Sequence, residues 1–150
     1  MLSPEEIITI TSYINNYRLK HKAKPLSHNN EISIFSESWS NNLLTTKEFK
    51  HSGNKKYGEN LFSMFSSQKE NKIATIKIAI DSWYNEVSKY DFNNPRFVSG
   101  TGHFTQLVWL ESKSYGIGYS FKNGKTIVCM NFDPPGNYTN KFAQNVLKSI

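Results

Sequence analysis

Gly102-His103-Phe104-Thr105-Gln106-Leu107-Val108-Trp109 separates two unlike parts of the chain. The run sets a histidine beside two aromatics and a polar Thr-Gln pair, a combination that core packing alone does not require. It has room for a short helix of about two turns at most. On its C-terminal side the pattern is β. Tyr115, Ile117, Tyr119 and Phe121 alternate with small residues, Asn123-Gly124 is a strong two-residue hairpin turn, and Thr126 to Phe132 returns as the partner strand. Asp133-Pro134-Pro135-Gly136 stops that strand, and Phe142, Val146 and Leu147 form a short packed tail.

On the N-terminal side the pattern is helical. Ser3 can cap a helix, Pro4 suits its first position and Glu6 closes a capping box. Ile7, Ile10, Ile14 and Tyr17 give that helix one apolar face, and Pro25 ends the element. A second helix is expected from about Asn30 to Lys47, with Ile32, Phe35, Trp39 and Leu43 as its stripe. Ser36, Ser38, Ser40 and Asn41 are mediocre helix formers, so packing must supply its stability. Glu48 to Lys56 reads as a loop around Gly53. In Tyr57 to Phe65, Gly58 weakens a helix while Leu61-Phe62 suits a short strand, and Ser66-Ser67-Gln68 is loop-like. Ile73, Ile76, Ile80, Trp83 and Val87 predict a third helix from about Lys72 to Lys89. Tyr90 to Thr101 is turn material. Helices precede a hairpin with no βαβ alternation, so the class is α+β. No repeat or linker divides the chain, and residues 1–150 form one domain.

Hydrophobic residues make up 37% and aromatics 14%, which excludes a disordered composition. Eighteen basic against twelve acidic residues give a net charge of +6, which favours anionic partners. No nucleic-acid recognition motif accompanies the charge, so no nucleic-acid partner is expected. Arg18, Lys20, His21, Lys22 and Lys24 form the densest basic run, read as a solvated helix end or an anion dock. The single cysteine, Cys129, cannot form an intramolecular disulfide and reads as a buried structural residue, which fits a reducing compartment.

Met1 to Glu6 lacks the order of a signal peptide, Leu2 excludes N-myristoylation, and no apolar run reaches the ~20 residues of a membrane span. An intracellular location is expected, with possible peripheral membrane attachment; the alternative is a secreted form whose signal has been removed. Asn137-Tyr138-Thr139 is a glycosylation sequon that matters only in the secretory pathway. Gly116-Ile117-Gly118 lacks the third glycine of a nucleotide fingerprint, and no G-x-S-x-G elbow is present, so no catalytic residue is assigned.

Some polar groups fall at the edges of the expected core. Glu86 follows Trp83 by three residues and precedes Tyr90 by four, on the border of the third apolar stripe. Glu59 sits between Gly58 and Asn60, beside Leu61. A carboxylate so placed must be paired, neutralised or open to a cleft. His103 opens the Thr105-Gln106 segment, and His51 lies eight residues before Glu59.

The Gly102–Trp109 run, Tyr57-Gly58-Glu59-Asn60-Leu61 and Cys129-Met130-Asn131-Phe132-Asp133-Pro134-Pro135-Gly136-Asn137 together resemble the CAP superfamily of cysteine-rich secretory, antigen 5 and pathogenesis-related-1 proteins. The resemblance implies a three-layer α-β-α sandwich around a small, mostly antiparallel sheet. It also implies that His51, Glu59, Glu86 and His103 meet in one cleft, with Asn60 and Gln106 supporting it by hydrogen bonds. Two imidazoles and two carboxylates suit Zn²⁺ or another divalent cation, or else mutual His–Glu hydrogen bonds that fix the loops. Family members carry apolar grooves for sterols or fatty acyl chains. Here Tyr90, Phe92 and Phe97 are the candidates, either to close over such a ligand or to pin their loop to the core.

The lack of several cysteines makes the chain look like the small Golgi-associated plant pathogenesis-related-type branch, which implies an anionic membrane partner and a homodimer. Without a glycine at position 2 the usual lipid anchor is missing, and charge alone gives weak, salt-sensitive adsorption. The function expected is a binding module; the alternatives are a metal-dependent hydrolase and a protein-interaction scaffold.

Overall fold

Ser3 begins the first helix, α1 (Pro4–Lys20): its hydroxyl accepts the Glu6 N–H while the Glu6 carboxylate accepts the Ser3 N–H at 2.8 Å. This capping box satisfies two of the donors that a helix start leaves open. The computed structural model describes residues 1–67 and 71–150, so Gln68 of the expected loop lies outside it. After α1 come β1 (Ser27–His28), α2 (Asn30–Thr46), β2 (Gly58–Phe65), α3 (Lys72–Tyr84), a 3₁₀ turn over Asn85–Lys89, α4 (Gly102–Leu107), β3 (Ser114–Lys122), β4 (Lys125–Asp133) and α5 (Phe142–Asn145).

The strands form one sheet in the order β1-β3-β4-β2. Only the short β1–β3 pair is parallel; β3–β4 and β4–β2 are antiparallel. Strand alternation sends successive side chains to opposite faces. Tyr115, Ile117, Val128, Met130 and Phe132 meet Ile10 and Ile14 of α1 and Ile76, Ile80 and Trp83 of α3. On the other face Ile127 and Cys129 join Leu43 of α2 and Leu61. The result is the expected α-β-α sandwich, with Cys129 buried and free.

The face of α2 against the sheet differs from the expected stripe. Ile32, Ser33, Ser36, Ser40 and Leu43 are buried, whereas Phe35 and Trp39 are only half-buried. The cause lies in Gly116 and Gly118 of β3. A Cβ on Gly116 would sit 2.2 Å from the Ser33 nitrogen, and one on Gly118 would sit 2.4 Å from the Glu37 Cα. The helix backbone lies directly on the strand, and only small side chains fit between them. The buried hydroxyls are satisfied: Ser33 Oγ accepts the Ile117 N–H, and Ser36 Oγ donates to Asn131.

Two further expectations are corrected. The third helix is α only to Tyr84, and Glu86 lies in the tighter 3₁₀ turn that follows. The basic run is a solvated helix end only in part: Lys20, Lys22 and Lys24 are exposed, whereas Arg18 and His21 are fully buried. Arg18 donates to the carbonyls of Lys24, Leu107, Trp109 and Ser112, tying α1 to the segment after α4. His21 bridges Tyr84 Oη and the Leu147 carbonyl, so it holds the C-terminal tail. Helix α1 stops at Lys20, with His21 as its cap, before Pro25 is reached.

Candidate functional site

Glu59 enters the site on the opening residues of β2, where it pairs across the sheet with Asn131 of β4. Its side chain is 5% exposed. One oxygen accepts the Ser52 N–H at 2.8 Å and faces His51 Nδ1 at 2.9 Å. The other accepts the Ser52 hydroxyl at 2.7 Å and the Asn131 amide at 3.1 Å. Burial pushes the Glu59 pKa up, but hydrogen bonds from His51, Ser52 and Asn131 outweigh it and leave the pKa below its ordinary value. The same hydrogen bond to Glu59 raises the pKa of His51 against a smaller opposing effect of burial.

Glu86 makes the second pair. One oxygen accepts the backbone N–H groups of His103 and Phe104, at 2.9 and 3.0 Å. These are orphan donors at the start of α4, which has no side-chain cap of its own. The other oxygen lies 2.7 Å from His103 Nδ1. Trp83 stacks on the His103 ring at 6.3 Å between centroids. Asn60 donates to the His103 carbonyl at 3.0 Å, which joins the two pairs through the backbone.

His51, Glu59, Glu86 and His103 line one open cleft of about 220 Å³, together with Asn60, Phe97, Gly102 and Asn137. In both pairs the carboxylate faces Nδ1 of its histidine. Neither Nε2 has a hydrogen-bond partner among the described residues. A histidine that donates Nδ1–H to a carboxylate keeps the Nε2 lone pair for a ligand, an arrangement that recurs at metal sites. The donor set therefore fits a divalent ion held by two imidazoles, with the carboxylates orienting the rings rather than ligating. Among the described residues, no group of three or more His, Cys, Asp or Glu is spaced to enclose an ion by itself.

Gln106 does not line the cleft. Its Oε1 accepts the Gly136 N–H and its Nε2 donates to Ser112, which fastens the 134–136 loop behind the site. Gly58 packs on this amide, and a Cβ there would lie 2.0 Å from Gln106 Oε1. Of the three loop aromatics, Tyr90 is buried and Phe92 half-buried against Phe104, so both pin the loop to the core. Phe97 is 56% exposed and lines the cleft.

Ser52, Asn131 and Asn137 make site contacts that the sequence reading assigned to none of them, although Asn131 and Asn137 lie in the third motif. Asn131 was legible as the one amide, set within the apolar stretch Ile127 to Phe132; nothing in the spacing singles out Ser52. Asn137 accepts the Thr105 hydroxyl at 2.6 Å and donates to the Gly102 carbonyl at 2.9 Å.

A family model described as "CAP: Cysteine-rich secretory protein family" matches residues 11–132. The chain is 36% identical over 139 residues to the Golgi-associated plant pathogenesis-related protein 1 of Homo sapiens, covering 89% of this chain and 86% of that one. It is 29% identical over 127 residues to pathogenesis-related protein 1A of Nicotiana tabacum, covering 83% and 72%. A crystal structure of NaASP2 with Zn²⁺ superposes with a TM-score of 0.79 at 20% identity, covering 99% of this chain and 88% of that one.

Proposed function

This chain belongs to the cysteine-rich secretory protein (CAP) family, and on that premise we propose that it is a binding module whose cleft takes a divalent cation and whose basic surface meets anionic membranes. The observation that carries the first half is the pair of Nε2 atoms, those of His51 and His103, without a hydrogen-bond partner among the described residues and on one cleft. These two nitrogens would hold the ion, while Glu59 and Glu86 fix their rings. A bound Zn²⁺ would supply Lewis acidity and a cross-link between the loop before β2 and the start of α4. The Zn²⁺ named with NaASP2 supports the choice of ion.

The second half rests on the net charge of +6. Exposed Phe97 at the cleft offers a contact for an apolar lipid chain. The name of the human relative supports an intracellular, Golgi-associated setting, and a homodimer is part of the same proposal. A metal-dependent hydrolase is disfavoured by the carboxylates themselves. Glu59 is held by His51, Ser52 and Asn131, and Glu86 by His103 and Phe104, so neither is free to serve as a general base.

Calorimetric titration with ZnCl₂ tests the cleft. One ion per chain, lost in both His51→Ala and His103→Ala, is the expected result; binding unaffected by either change overturns it.

A further inference from the structure

A second concavity, of about 490 Å³, lies at the end of α1 and is lined by Lys22, Lys24, Pro25, Ser27, Leu110, Ser112 and Lys113. It shares no lining residue with the His/Glu cleft. None of its three lysines is in an ion pair among the described residues. The neighbouring acid in sequence, Glu111, is engaged by the Asn145 amide instead.

The wall of this groove is unusual. Arg18 is fully buried and, among the described residues, bonded to carbonyls with no carboxylate partner. Two of those carbonyls belong to the lining residues Lys24 and Ser112. The guanidinium therefore fixes both sides of the groove and places a buried positive charge behind it, held by carbonyl dipoles. A charge within low-dielectric surroundings projects its field further than one in water. Three lysines line one concave surface and the guanidinium sits behind its wall, which is an arrangement for a compact multivalent anion.

We propose that the Lys22/Lys24/Lys113 groove binds a ligand carrying two or more phosphate groups on a small polar frame, either as a free phosphate or as a lipid headgroup. Lysine binds phosphate as a compact point charge. Pro25 and Leu110 give the frame an apolar edge to rest on. The proposal deepens the anionic-membrane reading and rests on it for the headgroup source only.

The test uses soluble inositol 1,4,5-trisphosphate, phosphatidylcholine vesicles containing phosphatidylinositol 4,5-bisphosphate, and phosphatidylserine vesicles of matched charge. The variant is Lys22→Asn/Lys24→Gln/Lys113→Gln. Asparagine is chosen at 22 because φ there is 62°, a left-handed conformation it tolerates. The control, Lys55→Gln/Lys122→Gln/Lys148→Gln, removes equal charge from exposed positions elsewhere.

The groove variant is expected to bind the trisphosphate or the bisphosphate vesicles about a hundredfold more weakly, with little change in the control. Binding of the soluble probe alone identifies a free phosphate, and binding of both probes a headgroup. Amide shifts of Lys22, Lys24, Ser27 and Lys113 in the wild-type protein give the same answer without mutation. Equal losses in groove variant and control, or shifts confined to other residues, overturn the groove. Phosphatidylserine binding that survives in that case leaves the membrane reading standing without it.

Discussion

Glu86 holds His103 twice, once through the backbone N–H and once through the imidazole Nδ1. A single carboxylate thus caps α4 and sets the ring that opens it. The cap of the helix and the orientation of a ring that lines the cleft thus rest on one side chain, so a stability element and a binding element coincide here.

Glu86→Gln keeps the shape but not the charge. The amide can still accept the two backbone N–H bonds with its oxygen, but its NH₂ meets Nδ1 as a donor. The expected loss is about 1–3 kcal/mol of stability by urea unfolding. Zn²⁺ affinity should fall about 10- to 100-fold, the usual consequence of removing a carboxylate behind a histidine ligand. Unchanged affinity would separate the cap from the ring.

His51 and Glu59 shift in opposite directions, and the signs define a pH window. Glu59 has a lowered pKa, so its stabilisation is present above its ordinary value of 4.5 and is lost as pH falls through the folded value. His51 has a raised pKa, so its stabilisation is present below its ordinary value of 6.5 and is lost as pH rises through the folded value. The Tm difference between wild type and His51→Gln should be largest between those two values and shrink on both sides. The His51 side chain is 62% exposed, so the effect is small and weakened by salt. A difference that grows steadily to pH 8 contradicts the pairing.

His21 works against this trend. Burial lowers its pKa, so the folded state prefers the neutral ring; its contribution is present above its ordinary 6.5 and is lost as pH falls. Acidification should release the C-terminal tail that it holds through Leu147. Protection of the Leu147 to Ile150 amides, taken relative to intrinsic exchange at each pH, should fall below pH 6.5, and His21→Phe should remove that pH dependence.

Gly118→Ala tests the contact between α2 and the sheet. The added carbon meets backbone atoms of Ser36 and Glu37 that cannot move independently of the helix. The expected cost is at least about 1–3 kcal/mol in thermal or urea unfolding, the range for overpacking. Gly58→Ala meets a side chain, Gln106, and should instead loosen the 134–136 loop. A neutral Gly118→Ala would mean that α2 stands off the strand.

Periodicity exposed the elements that bury aliphatic side chains. Ile10, Ile14, Ile76, Ile80 and Trp83 lie where three-four spacing put them, and the Asn123-Gly124 hairpin turns as read. It failed where small or charged residues were buried. The serine face of α2 carries no hydrophobic signal, because its meaning depends on two glycines more than eighty residues away. Arg18 and His21 look like surface residues in sequence, since their partners are backbone carbonyls and a tyrosine hydroxyl that no local pattern announces. Glu59 and Glu86 stood out as carboxylates at the edge of apolar runs, but that all four cleft residues meet was legible only through the resemblance of whole motifs. Spacing alone gave no reason for His51 and His103 to meet, because a strand, a helix and a 3₁₀ turn intervene.

A crystal grown with ZnCl₂ and measured at the zinc absorption edge tests the central claim most directly. One anomalous peak within bonding distance of both Nε2 atoms, of His51 and of His103, is the predicted result. Peaks on Nδ1 or on the carboxylates alone, or two separate ions each on one imidazole, would contradict it.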